Sequence, residues 1–282
     1  MNQYQLDIRD KVVVITGAGG VLCSMFARTL AAEGAKVALL NRTLAHAEVY
    51  AQEIRQEGFT ARAYQVDVTS KQSLEAAHLQ VLADFGKCDI LINGAGGNHP
   101  SGTTTKEYFE PGDESAQDLI SFFDLDEAGI RSVFDLNFIG TLLTTQVFAV
   151  DMIGRPGCSI VNISSINADK PLTKIPAYSG AKAAINNLTQ WLAVHFSSSG
   201  IRVNAIMPGF FVTRQNKKML FNDDGSPTER TRKILSSTPM DRFGDPKELN
   251  GALLFLVNER ASSFVTGVSI PVDGGFSAYS GV

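Results

Sequence analysis

Short apolar runs alternate along the chain with segments of helical apolar spacing, and this alternation restricts the fold more than any other feature of the sequence. The runs are rich in β-branched residues and do not alternate apolar with polar positions, which is typical of strands buried on both faces of a sheet. Leu22, Phe26 and Leu30 show the helical spacing that follows such a run. Strand and helix in repeated succession predict an α/β fold, a doubly wound parallel sheet of about seven strands with helices on both faces. The clearest strand runs are 12–15, 36–40, 89–92, 159–163 and 201–206.

The 282 residues contain no linker that would divide them, so we predict one domain over 1–282. No internal repeat or low-complexity tract interrupts the rhythm, but two irregular regions do. Residues 98–127 form a polar stretch longer than the usual connection in such a sheet, and we predict an inserted loop on the ligand-binding side. In residues 210–240, Gly225 and Pro227 break a charged helical pattern. This region is predicted to form a lid, with a solvated surface insertion as the alternative.

Charge and cysteine content exclude several classes of function. The net charge is −4 and the 25 Lys and Arg residues are scattered, so no basic stripe is available to neutralise nucleic-acid phosphates. No uninterrupted apolar run reaches about 18 residues, and the polar N-terminus does not resemble a signal peptide. Cys23, Cys88 and Cys158 are too few for a disulfide framework or a metal site, which suits a reducing cytoplasm. We therefore expect no nucleic-acid, membrane or metal partner.

A glycine-rich turn follows the first predicted strand, and a helix begins directly after it. Gly17, Gly19 and Gly20 leave backbone N–H groups exposed at the helix N-terminus, next to Val21 and Leu22. Such an N-terminus is an anion site suited to a phosphate group. A turn of this kind also occurs as an ordinary strand-to-helix connection, so by itself it leaves both interpretations open.

Polar and small residues follow the next three strands as well. Asn41 and Arg42 lie where a ribose-binding side chain is expected, about 20 residues beyond the glycines. The carboxyl ends of parallel strands share one edge of the sheet, and ligands bind there in this architecture. Each position singly is ordinary turn chemistry, but the set favours a dinucleotide. The other candidates are Asp67 and Val68 after the third strand, and Asn93, Gly94, Ala95 and Gly96 after the fourth.

Tyr178 and Lys182 lie four residues apart at the start of a helical pattern, which places both side chains on one face. A phenol is a poor base at neutral pH, and a neighbouring ammonium is expected to lower the pKa of Tyr178 by favouring the phenolate. The pair would then be a usable general acid and base. A pattern with only two fixed positions also arises by chance among surface residues.

Two further polar residues narrow that choice. Ser164 and Ser165 follow a predicted strand, where a hydroxyl can hydrogen-bond a carbonyl or alcohol oxygen. Asn137 lies in a long helical segment, where its amide is expected to hold a water that links Lys182 to solvent. A polar residue satisfied by the helix backbone is the alternative for Asn137.

Together these segments resemble the short-chain dehydrogenase/reductase family over nearly the whole chain. The matching segments are TGAGG, DVTS, INGAGG, DLNFIG, IVNISS, YSGAK, MPGFFVT and IPVDGGF. The resemblance implies a Rossmann-type fold and an NAD(P)-dependent oxidoreductase that interconverts a secondary alcohol and a ketone. Ser165 is preferred to Ser164 because its spacing to the tyrosine matches the family. The implied catalytic residues are Asn137, Ser165, Tyr178 and Lys182, and the implied cofactor site includes Tyr178, Lys182, Pro208, Gly209, Phe211 and Thr213.

The chain departs from the family pattern at two motifs. Val21 and Cys23 stand where the cofactor turn usually carries glycines, and Gly94 replaces the second Asn of the usual NNAG motif. A side chain at position 21 would crowd a pyrophosphate unless Gly19 and Gly20 take over the close approach. Cys23 is predicted to be a small packing residue between helix and strand.

The choice of cofactor is left open by the sequence. Neutral Asn41 followed by cationic Arg42 slightly favours NADP(H), because a carboxylate that would repel the 2′-phosphate is absent at these positions. The segments GAGGVLC, NGAGGNHP and LTKIPAYSGAK resemble a branch of the family that interconverts D-mannonate and D-fructuronate. That resemblance implies NAD(H), whereas the residues at positions 41 and 42 slightly favour NADP(H).

A sugar-acid substrate needs a cation for its carboxylate and several hydrogen-bonding groups for its hydroxyls. The two rival hypotheses are a reductase of another keto-aldonate or polyol, such as 5-keto-gluconate, and a dinucleotide-binding sensor without catalysis. The resemblance also implies a homotetramer. The substrate candidates are Asn98, His99, Ser165, Asn167, Lys174, Tyr178 and Arg214.

Overall fold

Seven parallel strands form one sheet in the order β3-β2-β1-β4-β5-β6-β7. A computed structural model of the chain describes residues 6–212 and 217–281. The order confirms the predicted doubly wound fold. The third strand, which was expected before Asp67, is a short run that was not among the clearest strand runs of the sequence. The strands are β1 (Val12–Thr16), β2 (Lys36–Asn41), β3 (Ala61–Gln65), β4 (Ile90–Asn93), β5 (Cys158–Ile163), β6 (Ile201–Pro208) and β7 (Ser269–Val272).

Helices cover both faces of the sheet and divide the core into two main clusters. Val13 and Ile15 of β1 pack towards one face, while Val12 and Val14 pack towards the other. Because successive side chains of a strand point to opposite faces, a strand with two buried faces carries an unbroken apolar run. The helices are α1 (Val21–Ala32), α2 (Leu44–Gln56), α3 (Lys71–Asp84), α4 (Glu127–Phe134), α5 (Gly140–Phe148), α6 (Pro176–His195), α7 (Lys217–Leu220), α8 (Glu229–Ser236), α9 (Asn250–Val257) and α10 (Glu259–Ser262).

The strand order reverses between β1 and β4, and this reversal positions the site. The chain runs outwards from β1 through β2 to β3, then returns to place β4 on the other side of β1. The connections after β1 and β4 therefore leave in opposite directions and open a crevice at the carboxyl edge. Thr16 and Asn93, the last residues of these two strands, lie at that crevice.

Two irregular regions lie above the same edge. Residues 98–127 run from β4 to α4 and contain three short 3₁₀ turns, Pro100–Gly102, Asp113–Ser115 and Phe122–Asp124. Residues 210–240 contain α7 and α8, and a bridge joins Phe221 to Pro227. Thr213 and Arg214, which the sequence placed in the site, lie outside the described residues.

A continuous helical run, Glu127–Met152, is long and apolar enough to cross a membrane by length and composition alone. Half of its most apolar window is buried inside the protein. Val147 and Phe148 at its end belong to the core cluster that covers one face of the sheet. The run therefore packs as a core helix of the fold.

Candidate active site

Two glycine-rich loops meet at the crevice between β1 and β4. Gly17 has φ +67°, and a Cβ placed on it would lie 2.8 Å from the Gly94 carbonyl oxygen and 2.9 Å from the Ala95 nitrogen. The Thr16 hydroxyl accepts hydrogen bonds from the N–H groups of Gly94 and Ala95, at 3.1 and 3.2 Å. Only glycine combines this conformation with so close an approach. The two loops therefore form one surface.

The N-terminus of α1 opens onto this surface without a side-chain cap. Gly20 is the N-cap residue, and the first turn, which begins with Val21 and Leu22, holds no acidic residue. Free N–H groups and the positive end of the helix dipole favour an anion. An uncapped helix end beside a glycine-lined crevice fits the pyrophosphate of a dinucleotide, with Gly19 and Gly20 supplying the close backbone approach.

Cys23 and Gly94, which both depart from the family motifs, lie in contact with each other. A Cβ built on Gly94 would lie only 2.1 Å from the Cys23 sulfur. Cys23 is 4% exposed, and burial raises the pKa of its thiol to about 12. The thiol is therefore neutral and inert, and it fills the space that a side chain at position 94 would need. This contact confirms the packing role predicted for Cys23.

The adenosine end of the predicted site has one constrained and one free side chain. Asn41 accepts a hydrogen bond from the Gly19 N–H at 3.3 Å and donates to the Thr43 carbonyl at 2.9 Å. Arg42 is exposed. Among the described residues, only its backbone carbonyl and not its guanidinium forms a hydrogen bond. Asn41 thus braces the glycine turn, which leaves Arg42 available to a ligand.

The side chains of Asp67 and Val68 are both held within the fold. Asp67 uses one carboxylate oxygen to accept from the backbone and hydroxyl of Thr69, at 3.0 and 2.7 Å. The Val68 side chain is buried, and a Cβ on Gly140 would lie 2.8 Å from it. Val68 can therefore meet a ligand only through its backbone.

The side chain of Asn93, which was predicted to bind the cofactor, points away from the cofactor site. Its side chain is 2% exposed and donates inside the fold to Thr145 and Asn162, at 3.0 and 2.9 Å. Asn162 donates in turn to Thr189 at 2.9 Å. A buried amide costs free energy unless it is hydrogen-bonded, so Asn93 turns into this network and ties β4, β5, α5 and α6 together.

The segment after β6 is also held by packing. A Cβ on Gly209 would lie 2.6 Å from the Asp273 Cβ, and the Gly209 N–H donates to Val272 at 3.0 Å. Pro208 is buried at the end of β6. The ring of Phe211, which the resemblance placed in the cofactor site, is 5% exposed and lies where a Cβ on Gly244 would stand 2.3 Å away. Its side chain is therefore a packing residue.

Tyr178, Ser165 and Lys182 come together where β5 ends and α6 begins. Pro176 starts α6, so Tyr178 and Lys182 share one helix face. The Lys182 Nζ lies 5.5 Å from the centre of the Tyr178 ring and donates to the Ile163 carbonyl at 2.8 Å. Ser165 lies close enough to Tyr178 to lower the pKa of its phenol, whereas the Ser164 hydroxyl donates to the Lys182 carbonyl at 3.3 Å. Of the two serines, Ser165 is thus the one whose hydroxyl acts on the phenol.

The electrostatics of this cluster differ from the sequence expectation. Burial raises the pKa of Tyr178 above its usual range, and the Ser165 hydrogen bond offsets only part of that effect. The prediction that Lys182 would lower the pKa of Tyr178 is therefore wrong. Burial also lowers the pKa of Lys182 to about 8, because the pocket disfavours charge on either group. Tyr178 is thus a protonated phenol at neutral pH.

Asn137 lies on a π-turn, Asp135–Ile139, between α4 and α5. Its amide donates to the Val133 and Gly97 carbonyls, both at 2.7 Å, and its oxygen accepts from the Gly97 N–H at 3.2 Å. A Cβ on Gly96 would lie 2.7 Å from Asn137 and 3.2 Å from the Lys182 Nζ. Asn137 therefore holds the loop after β4 against the catalytic cluster, a contact that the predicted water-holding role did not include.

The model of the short chain dehydrogenase family matches residues 11–223, which is most of the chain. The chain belongs to the short-chain dehydrogenase family. It is an oxidoreductase that acts on CH–OH donors with NAD(P), as members of this family do. The crevice, the uncapped helix and the Ser165–Tyr178–Lys182 cluster are the parts of this chain for which the sequence predicted that chemistry.

Several relatives of this short-chain dehydrogenase match over nearly their full length. An uncharacterized oxidoreductase of Haemophilus influenzae is 56% identical over 276 residues, covering 98% of this chain and 96% of that protein. A crystal structure from Haemophilus influenzae, provisionally assigned as a D-mannonate oxidoreductase with bound NAD, has a TM-score of 0.95 and 55% identity over 99% of each chain. A 5-keto-D-gluconate 5-reductase of Escherichia coli is 30% identical, over 95% of this chain and 96% of that protein.

Three of the seven predicted substrate residues form hydrogen bonds within the dehydrogenase's own loops, Asn167 through its backbone. Asn98 donates to Thr103 at 2.9 Å, and His99 pairs with Ser101 at 2.8 Å. Asn167 is 6% exposed, and its backbone N–H donates to Ser165 at 3.2 Å. Asn98 and His99 therefore shape the start of the 98–127 insertion, and Asn167 supports the catalytic serine.

One site residue, Thr16, was missed by the sequence analysis, and Gly96, which was predicted to bind the cofactor, has a second role. Thr16 ends β1 and clamps the loop after β4, and Gly96 fits between Asn137 and Lys182. Thr16 directly precedes the glycine turn, so its position at a strand end was a signal that was available. The role of Gly96 depends on two side chains from distant helices, which no local pattern reveals.

Proposed function

We propose that this enzyme interconverts D-mannonate and D-fructuronate with NAD(H). The observation that carries the proposal is the Ser165–Tyr178–Lys182 cluster, which lies at the carboxyl edge of the sheet beside the glycine-lined crevice. Ser165 and Lys182 are buried, and Tyr178 is partly buried. A relative of 55% identity with bound NAD and a D-mannonate assignment supports the choice of both cofactor and substrate.

Proton transfer on the substrate oxygen falls to Tyr178. In the reductive direction the phenol donates its proton to the carbonyl oxygen, and in the oxidative direction the phenolate removes the proton of the alcohol. The Ser165 hydroxyl, which lies beside Tyr178 and lowers the pKa of its phenol, positions that oxygen. Lys182 supplies positive charge beside the phenol, and Asn137 keeps the loop after β4 in place. A bound nicotinamide supplies or accepts the hydride.

The residues that would hold NAD(H) are those of the crevice. The α1 N-terminus binds the pyrophosphate through its free N–H groups, with Gly17, Gly19 and Gly20 allowing close approach. Asn41, Arg42 and Asp67 lie along the same edge for the adenosine. The absence of a carboxylate at positions 41 and 42 leaves NADP(H) as the alternative.

A second substrate is favoured by one observation. The 30% identical Escherichia coli relative is a 5-keto-D-gluconate 5-reductase, so another keto-aldonate is the alternative to D-fructuronate. Both substrates carry a carboxylate and a ketone on a six-carbon chain. The chemistry assigned to Tyr178 is the same for either.

The test is the absorbance of the reduced cofactor at 340 nm, with D-mannonate, D-gluconate and uncharged polyols, each with NAD and with NADP. We expect turnover with D-mannonate and NAD to exceed every other combination. A higher kcat/KM for the 5-keto-gluconate couple would favour the alternative substrate. Cofactor binding without turnover of any of them would favour a non-catalytic sensor.

We also propose a cytoplasmic homotetramer. The three described cysteines are free and buried, which suits a reducing compartment. Trp191, Val194 and Phe264 are exposed apolar side chains that a neighbouring subunit would cover. Light scattering at micromolar concentration tests the assembly, and a monomer would contradict it.

A further inference from the structure

A groove of about 490 Å³ lies between the 98–127 insertion and α8. The insertion forms one wall, the first turns of α8 form the other, and the loop before α6 contributes a lysine. Its lining includes Glu107, Lys174, Arg230 and Lys233.

Three cations of this groove surround one carboxylate. The Lys233 Nζ lies 3.1 Å from the Glu107 carboxylate and also 3.1 Å from that of Glu229. The hydrogen bond with Lys233 is the main cause that lowers the pKa of Glu107, and the charges of Lys174 and Arg230 lower it further. The lining as a whole holds four cations, Lys106, Lys174, Arg230 and Lys233, against three carboxylates, Glu107, Glu110 and Glu229, so one positive charge is left over.

Lys174 and Arg230 are the cations of this lining that are not paired, since neither forms an ion pair within 4.0 Å with any residue in 6–212 or 217–281. Lys174 also has φ +74°, a left-handed conformation that is uncommon outside glycine and that persists only where the surroundings impose it. The Lys174 carbonyl accepts a hydrogen bond from the Thr104 N–H at 2.9 Å, so the insertion holds this backbone in place.

The groove lies close to the catalytic cluster along the chain. Lys174 precedes Tyr178 by four residues, so their Cα atoms are at most about 14 Å apart. A Cβ on Gly102 would lie 3.8 Å from that of Ala177, so the insertion packs directly beside Tyr178. The insertion that walls the groove therefore contacts the segment that carries Tyr178.

We propose that Lys174 and Arg230 bind the carboxylate of the sugar-acid substrate, and that Glu107 occupies this cation cluster when substrate is absent. The inference rests on the proposed function, because it takes its ligand class from it. The Arg230 guanidinium offers the paired N–H groups that match a carboxylate. Glu107 is an internal competitor whose carboxylate gives way to that of the substrate.

Kinetics of three variants with D-mannonate and NAD test this assignment. Arg230→Gln and Lys174→Gln should each raise the KM for D-mannonate by about tenfold, the usual effect of losing one charge-assisted hydrogen bond, with kcat and the KM for NAD unchanged. Glu107→Gln should lower the KM for D-mannonate, because the competing charge is removed. Arg62→Gln is the matched control, since Arg62 is an exposed arginine on β3 that pairs with Asp84.

The cation variants and Glu107→Gln are expected to shift the KM for D-mannonate in opposite directions, so each outcome has a distinct meaning. An unchanged KM in both cation variants overturns the assignment while leaving the proposed function intact. A higher KM in Glu107→Gln would overturn the competitor role and make Glu107 a structural latch to Lys233. Absence of turnover of any sugar acid by the wild-type enzyme overturns both the function and this inference. If Arg230→Gln does not fold, as judged by circular dichroism, Lys174→Gln carries the same prediction.

Discussion

The catalytic cluster and the 98–127 insertion lie above the same sheet edge but are built in opposite ways. Ser165, Lys182 and Asn137 are 7%, 5% and 1% exposed, and backbone hydrogen bonds anchor each of them. In the insertion, Tyr108 and Phe123 are 75% and 71% exposed. In the proposed mechanism the reaction thus depends on side chains locked by the fold, whereas the insertion, which is predicted to lie on the substrate side, presents exposed groups that can change without disturbing them.

The largest effect is expected at the phenol. Tyr178→Phe removes the proton donor while keeping the ring, so kcat should fall by about 10²- to 10⁴-fold. The Kd for NAD should change little, because the glycine turns and the α1 N-terminus are untouched. Steady-state kinetics and calorimetry on one preparation measure both quantities. Retained turnover would remove Tyr178 from the mechanism.

The pH profile sharpens the same comparison, because burial is the main cause of the pKa shifts of Tyr178 and Lys182, whereas hydrogen bonds are the main cause in the insertion. The pKa of Lys182 is lowered to about 8, so its ammonium is present below that pH and is lost as the pH rises through it. Tyr178 keeps its proton over this range, since its pKa is raised. We expect kcat/KM for ketone reduction to fall above about pH 8. In Lys182→Arg, which stays charged, the fall should move to higher pH, and an unmoved profile would contradict the assignment.

A smaller effect is expected where the two unusual motif residues meet. Gly94→Asn would place a side chain against the Cys23 sulfur, and overpacking of this kind costs about 1–3 kcal/mol. The Kd for NAD should therefore rise by about tenfold. Cys23→Gly in the same chain should restore much of the binding. A double variant as weak as the sum of both singles would show that the two positions are independent.

The smallest effect is expected on the insertion. Phe123→Ser changes a side chain that is 71% exposed, so the free energy of unfolding should shift by no more than about 0.5 kcal/mol. Thermal unfolding would then move by about 2 °C or less. A shift several times larger would mean that these aromatic residues are covered in the native assembly.

The sequence predicted what local pattern and chain order determine. The strand runs, the glycine turn and the Tyr178–Lys182 spacing each lie within one element, and the fold places them as expected. The Asn93 side chain was wrongly assigned to the cofactor site, because its partners, Thr145 and Asn162, come from other elements. The direction of the Tyr178 pKa was wrong because burial is a property of the packed pocket. Arg230 and Glu107 meet only through tertiary packing, so no motif marks them.

The central claim is that the buried cluster performs the chemistry while the groove residues recognise the substrate. The most direct measurement is the separation of kcat from KM for D-mannonate in Tyr178→Phe and Arg230→Gln, assayed side by side at 340 nm. The account predicts a collapse of kcat in the first variant, and a raised KM with unchanged kcat in the second. A Tyr178→Phe enzyme with wild-type kcat, or an Arg230→Gln enzyme that loses kcat and keeps its KM, would contradict it.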